Sequence, residues 1–208
     1  MSVGIINYRM GNIGSVARAI SLLGSHPVIV MEKPDDFNRV DKVILPGVGA
    51  FSTAMANLHA MGWVEAIYRH VGAAGMPVLG ICLGMQLLAD EGEENGVTKG
   101  LGLIAGRVVP LSKANPRQRI PHVGWNEVRA QAGSRLFGGI PAGTDFYFVH
   151  SYIFEAVNTA DVAATSHHGV HFTAAVTNGN VAGTQFHPEK SSKSGARLLA
   201  NFLEGHIA

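Results

Sequence analysis

Val78-Leu79-Gly80-Ile81-Cys82-Leu83-Gly84-Met85-Gln86-Leu87-Leu88 is an apolar run that meets a Gly-x-Cys-x-Gly turn and leaves it with helix-like spacing. The pattern predicts a strand, a sharp turn carrying the cysteine, and a helix. The strand would bring the side chain to the end of a sheet. The flanking glycines would let the backbone turn and leave room around the thiol. A helix starting there would aim its N-terminal N–H groups and positive dipole end at the sulfur, favouring the thiolate. Cys82 is the single cysteine of 208 residues. A lone cysteine in an apolar stretch is ordinarily an inert core residue, and it is the glycine pair that gives this one a functional reading.

A thiolate nucleophile needs a base, and Gln185-Phe186-His187-Pro188-Glu189-Lys190 offers one far downstream. In extended backbone, side chains at i and i+2 share a face, so Glu189 is expected to orient the His187 imidazole. Pro188 stiffens the segment between them and removes a competing donor. Cys82, His187 and Glu189 thus form a candidate triad of nucleophile, base and orienting carboxylate.

Around the elbow, the first half of the chain alternates short apolar strands with helical spacing. Strands are expected at Val3–Asn7, Pro27–Met31, Val43–Leu45 and Pro77–Ile81. Helices are expected at Asn12–Leu23 and along a long stretch carrying Met55, Leu58, Met61, Val64, Ile67 and Val71. Repeated β-α units of this kind predict an α/β fold, a mainly parallel sheet with helices on both faces. The second half reads as additional antiparallel strands at Gly106–Leu111, Val123–Arg129, Phe146–Phe154, Val162–Ser166, His171–Val176 and Val181–Phe186. Asn178-Gly179-Asn180 marks a hairpin, and a last helix is expected from about Ser194 to Glu204. No repeat, low-complexity tract or linker divides the chain, so residues 1–208 are expected to form a single domain.

In open α/β sheets, sites form beyond the carboxyl ends of strands. Pro46-Gly47-Val48-Gly49 sits at such an end and could present backbone N–H groups to an oxyanion beside the N–H of Leu83. It is not followed by the Lys and Ser/Thr of a phosphate cradle, and no Gly-x-Gly-x-x-Gly string occurs, so neither ATP nor a dinucleotide is expected. His167, His168 and His171 flank Gly169 with no cysteine or carboxylate beside them and read as solvated turn residues, so no metal is expected. A formal net charge of +1 argues against nucleic acid as the main partner. The N-terminus lacks a signal-peptide pattern, and no uncharged apolar stretch suffices to span a bilayer. A single cysteine suits a reducing compartment, so the expectation is a soluble, cytoplasmic protein away from membranes.

Gly80-Ile81-Cys82-Leu83-Gly84-Met85-Gln86 together with Gln185-Phe186-His187-Pro188-Glu189 resembles the triad (class I) glutamine amidotransferases. Further strings appear in order along the chain: Asn7-Tyr8-Arg9-Met10-Gly11-Asn12, Leu45-Pro46-Gly47-Val48-Gly49, Lys99-Gly100-Leu101-Gly102-Leu103-Ile104, Pro121-His122-Val123-Gly124-Trp125-Asn126, Tyr147-Phe148-Val149-His150-Ser151-Tyr152 and Lys190-Ser191-Ser192. With them the resemblance narrows to the glutaminase-subunit family of imidazole glycerol phosphate synthases, in histidine biosynthesis. The one departure is Arg9, where a small residue is expected.

The resemblance implies a flavodoxin-like fold and hydrolysis of glutamine to glutamate and ammonia, with no cofactor. The ammonia would pass to a separate (β/α)8-barrel cyclase subunit in a heterodimer. It implies Cys82, His187 and Glu189 as catalytic residues and Val48, Gly49 and Leu83 as the oxyanion hole. Gln86, Glu94, His150, Ser151 and Tyr152 would bind substrate, Glu94 pairing with its ammonium. Asn12, His122, Trp125, Tyr147 and Lys190 would face the partner. It also implies that the 46–49 loop is set for catalysis only when the partner holds its ligand, with Gly47 and Gly49 permitting the reorientation. Three other readings stand beside this one: a stand-alone γ-glutamyl or amide hydrolase, an inactive partner-binding subunit, and a paralogous amidotransferase serving another synthase.

Overall fold

A computed structural model describes residues 1–24, 26–114 and 120–207. Strands β1 (Val3–Ile6), β2 (Val28–Met31), β3 (Lys42–Gly47) and β4 (Val78–Cys82) lie in the order β2-β1-β3-β4, all parallel. The second half supplies β5 (Glu91–Gly92), β6 (Thr98–Lys99), β7 (Gly106–Pro110), β8 (His122–Ala130), β9 (Thr144–His150), β10 (Tyr152–Ala156), β11 (Val162–His167), β12 (His171–Asn178) and β13 (Val181–Thr184). Of these, β13 returns to pair in parallel with β4 and completes the five-strand flavodoxin-like order β2-β1-β3-β4-β13. The sheet continues antiparallel through β12, β10 and β7, and a branch from β12 carries β11, β8 and β9. The expected turn at Asn178-Gly179-Asn180 joins β12 to β13, with Gly179 at φ +56°.

Alternation along the parallel strands feeds two cores, one on each face of the sheet. Val3, Ile5, Ile44, Leu79 and Ile81 point to one of them. There they meet Val16 and Ile20 of α1 (Ile13–Leu22) and Leu198, Leu199 and Phe202 of the last long helix, Ser192–Leu203. Val43, Leu45 and Val78 point to the other, against Phe51, Met55 and Leu58 of α2 (Phe51–Ala60) and Trp63 and Ile67 of α3 (Trp63–Ile67). Each fully buried aliphatic or aromatic side chain here contributes about 1.5–3 kcal/mol of transfer free energy. Asn12 starts α1 by accepting from the Ser15 N–H.

Three local expectations change. The long helix predicted through Val71 breaks at Gly62, whose φ of +73° no helix accommodates, and α3 follows as a separate piece. The strand predicted over Phe146–Phe154 divides at Ser151, because β9 pairs with β8 while β10 pairs with β7 and β12. Apolar spacing runs straight through that point, and only the choice of neighbours reveals the break. The helix after Cys82 is one turn, α4 (Leu83–Gln86). The chain then bends so that the Leu87 and Leu88 carbonyls accept from the N–H groups of Leu101, Leu103 and Ile104. The expected dipole of a full helix is therefore that of a single turn.

Candidate active site

Cys82 ends β4 with φ +54° and ψ −110°, a conformation sparsely populated by L-residues, and starts α4 directly. The turn is held by close backbone approach. A Cβ on Gly84 would lie 1.7 Å from the Leu45 carbonyl oxygen of β3, and one on Gly80 would lie 2.6 Å from the Gly84 oxygen. The glycines flanking the cysteine thus pack the elbow against β3 as well as allowing it to turn. The register sets Gly47 beside Cys82, so the glycine loop after β3 begins next to the thiol.

His187 follows β13 and is buried, and its Nδ1 lies 2.7 Å from Glu189 Oε1. The pairing expected from the sequence is present, but its geometry differs. Residues Pro188–Lys190 form a 3₁₀ turn, so Glu189 reaches the ring across a turn and not along a pleat. Pro188 begins that turn, where its missing N–H has no cost. Ser191 Oγ donates to the His187 carbonyl and accepts from the Tyr147 N–H, fixing the segment to β9.

His187 Nε2 is buried without a hydrogen bond of good geometry among the described residues, as is Glu189 Oε2. Burial opposes the imidazolium, but Cys82 and Glu189 outweigh it and push the His187 pKa up to about 9. Hydrogen bonds of this kind commonly tighten only when substrate is bound. The protonated ring and the Glu189 carboxylate are thus matched charges in a dry setting.

The remaining predicted residues fall on the same end of the sheet with different partners. Gln86 Nε2 donates to the Tyr152 carbonyl at 3.2 Å and to Gln185 Oε1 at 3.0 Å. Glu94 Oε2 accepts the Phe51 N–H at 2.7 Å, so it caps α2 and ties down the far end of the Val48–Gly49 loop. Its charge also reaches the Tyr152 phenol, whose pKa is raised first by burial and then by Glu94. Gly49 has φ +104°, and a Cβ there would meet Met10 Cε at 2.8 Å. Leu83 opens α4 beside the cysteine. The Ser151 carbonyl accepts from the Leu111 N–H.

The His150 side chain turns into a buried chain of hydrogen bonds. Its Nδ1 lies 2.9 Å from the Tyr152 carbonyl and its Nε2 lies 2.9 Å from His122 Nδ1. Burial is the main reason that both pKa values fall, His122 to about 4 and His150 to about 3. His122, expected on the partner face, is only 3% exposed and lies behind it. His168, expected as a solvated turn residue, stacks on His122 with ring centroids 4.0 Å apart. His167 and His171 are exposed on the β11–β12 hairpin.

The other expected interface residues are at the surface. Trp125 is 53% exposed and packs edge-on to Tyr147, and Lys190 Nζ lies 5.7 Å from the Tyr147 ring centroid. Asn12 is exposed at the start of α1. Two neighbours join this patch that sequence reasoning misses. Val123, 56% exposed, lies two residues before Trp125 on the same side of β8, and Val149 is its partner on β9. The spacing of Val123 and Trp125 is the available signal. Tyr8 is missed as well: its hydroxyl is buried without a partner among the described residues, and a Cβ on Gly47 would lie 2.6 Å from it.

Fold and site together define an α/β protein with a thiol at a strained strand-turn-helix elbow and a paired histidine and carboxylate at the same end of the sheet. The family model for class-I glutamine amidotransferases matches residues 5–205. The chain is 48% identical over 202 residues to the imidazole glycerol phosphate synthase subunit HisH of Moorella thermoacetica, covering 97% of this chain and 94% of that one. It is 45% identical over 208 residues to HisH of Caulobacter vibrioides, covering 98% of each. Among solved structures, a glutamine amidotransferase superposes with a TM-score of 0.76 at 21% identity, covering 98% of each chain. PurLQS from Thermotoga maritima superposes with a TM-score of 0.72 at 19% identity, again covering 98% of each chain. At these identities the two structures speak for the fold alone. The chain belongs to the class-I glutamine amidotransferase family, among the HisH subunits of imidazole glycerol phosphate synthase. Its enzymatic class is accordingly that of a glutamine amidotransferase.

Proposed function

We propose that this chain, as one domain spanning residues 1–208, hydrolyses glutamine through Cys82, His187 and Glu189 and supplies the ammonia to a separate barrel cyclase. The Cys82 sulfur, its proton already passed to His187, attacks the side-chain amide carbon. His187 then protonates the departing nitrogen as ammonia leaves, and a thioester remains. Water, deprotonated by the same imidazole, attacks the thioester, releasing glutamate and restoring the thiol. Glu189 holds the ring with Nδ1 protonated and stabilises the imidazolium.

The oxyanion of each tetrahedral species would be received by N–H groups of Leu83 and the Val48–Gly49 loop. Losing one such donor costs on the order of 3 kcal/mol of transition-state stabilisation. Gln86, Glu94 and Tyr152, with the backbone of His150 and Ser151, would hold the substrate head group. The observation that carries the reading is the strained elbow at Cys82 with an imidazole beside it that is paired to a buried carboxylate.

The partner face would be built from Trp125, Tyr147 and Lys190, extended by Val123 and Val149, with Asn12 nearby in role. Its support is an exposed patch centred on Trp125 and Tyr147, aromatic residue types enriched among interface anchors, with Lys190 at its rim. Among the described residues no helix is long and apolar enough to cross a membrane. A cytoplasmic biosynthetic setting is the reading we adopt.

Glutamate release is the test, measured for the chain alone and with the barrel cyclase carrying its nucleotide ligand. We expect little activity alone, strong activity in the complex, and none with Cys82→Ala. Equal and substantial activity in both conditions would point to a stand-alone amide hydrolase. Gly49→Ala, which puts a Cβ against Met10 at a positive φ, should blunt the activation by the complex. Undiminished activation in that variant would refute a reorienting glycine loop.

A further inference from the structure

Gln185 is fully buried and follows β13, which runs parallel to β4 with Thr184 opposite Ile81. One residue further along both strands, that register brings Gln185 beside Cys82. Its Nε2 lies 3.8 Å from the Cys82 sulfur, within the reach of an N–H···S hydrogen bond.

The orientation of this amide follows from the network around it. The Tyr152 carbonyl can only accept, so the Gln86 atom 3.2 Å from it must be the NH2 group. That same Nε2 lies 3.0 Å from one terminal atom of Gln185, which must therefore be the oxygen. The Gln185 NH2 group is left facing the sulfur. The Tyr152 carbonyl also receives His150 Nδ1, so one peptide oxygen sets the direction of both buried chains.

We propose that Gln185 is a further residue of the thiol site, donating a hydrogen bond to the Cys82 sulfur in an orientation imposed by Tyr152 through Gln86. The inference rests on Cys82 being the nucleophile. The sulfur sits between one acceptor and one donor: the Val149 carbonyl at 3.8 Å accepts a hydrogen bond from the thiol, and Gln185 offers an N–H. When the proton leaves for His187, the carbonyl contact becomes unfavourable and the Gln185 contact strengthens, because charged acceptors roughly double a hydrogen bond. Gln185 therefore favours the thiolate over the thiol and holds it in place. Full burial adds to this, since without the sulfur that N–H has no solvent to turn to.

The experiment compares wild type, Cys82→Ala, Gln185→Met and Gln185→Leu in complex with the cyclase. It measures kcat and KM for glutamine, the rate of Cys82 alkylation by iodoacetamide at one fixed pH, and the melting temperature. Methionine keeps the length and volume of glutamine without an N–H, and leucine provides a second apolar replacement of different shape. In whichever variant is folded, kcat and the alkylation rate should fall together, on the order of ten- to a hundred-fold, the range for hydrogen bonds to charged groups. Alkylation and kcat within two-fold of wild type would overturn the assignment. So would a raised KM with both rates intact, which would leave Gln185 as a support for Gln86 only. A Cys82→Ala variant that stayed active would instead remove the nucleophile reading, and the two failures are thereby distinguished.

Discussion

His187 shows how one residue depends on its neighbours for its chemistry. A buried histidine left alone would lose its proton, as His122 and His150 do. With Glu189 and Cys82 around it, the same burial coexists with a pKa raised to about 9. Glu189→Gln keeps the hydrogen-bond acceptor and removes the charge. The His187 titration followed by NMR should then move downward, and glutaminase kcat should drop on the order of 10²–10⁴-fold. An unmoved titration would show that Glu189 is not the source of the shift. Arg9 illustrates a different dependence. It occupies φ +68°, a region that favours glycine, which gives a backbone reason for expecting a small residue there.

At the scale of elements, the elbow is decided by how close two strands and a turn can come. Gly84 sits where its Cα hydrogen faces the Leu45 carbonyl, and any side chain would displace β3 from β4. Gly84→Ala is expected to cost more than about 4 kcal/mol, or to prevent folding, because the clash is with backbone that cannot move aside. Urea unfolding of the variant measures this, and a loss below about 1 kcal/mol would show that the strands part easily. The one-turn length of α4 has a related cause. The segment after Gln86 is used for backbone hydrogen bonds to Leu101, Leu103 and Ile104, so it is unavailable to continue a helix.

Across the whole molecule, the two neutral histidines link stability to pH. Both are held mainly by burial below the ordinary imidazole pKa of about 6.5, so in acid the unfolded chain takes up protons that the folded one refuses. Their contribution is complete above about pH 6.5 and is lost as the pH falls toward their folded values, each at on the order of 1.4 kcal/mol per pH unit. Denaturant unfolding at pH 7, 6 and 5 should therefore show a steep loss that begins before carboxylates titrate. A flat profile between pH 6.5 and 5 would show that His122 and His150 are not held neutral. Once the folded histidines themselves take up protons, near pH 4 and below, two donors would face each other between His122 and His150, and the chain of hydrogen bonds behind the partner face should break there.

The residues that make the elbow, the His187–Glu189 pair and the glycine loop were legible in the sequence because each rests on local chemistry: glycine spacing, apolar periodicity and a short His-Pro-Glu string. Short continuous apolar runs likewise revealed the parallel strands, since a strand buried on both faces must be apolar along its length. The division of one apolar run at Ser151, the shortness of α4 and the burial of His122 were not legible. Each depends on which distant segment lies alongside, and periodicity carries no record of partners. The same limit explains Gln185, which is near its histidine in sequence but acquires its proposed contact from the β13–β4 register. Sequence alone determined which groups could do the chemistry. Tertiary structure decided which atoms they face, because strand pairing and burial fix the direction of every hydrogen bond around the thiol.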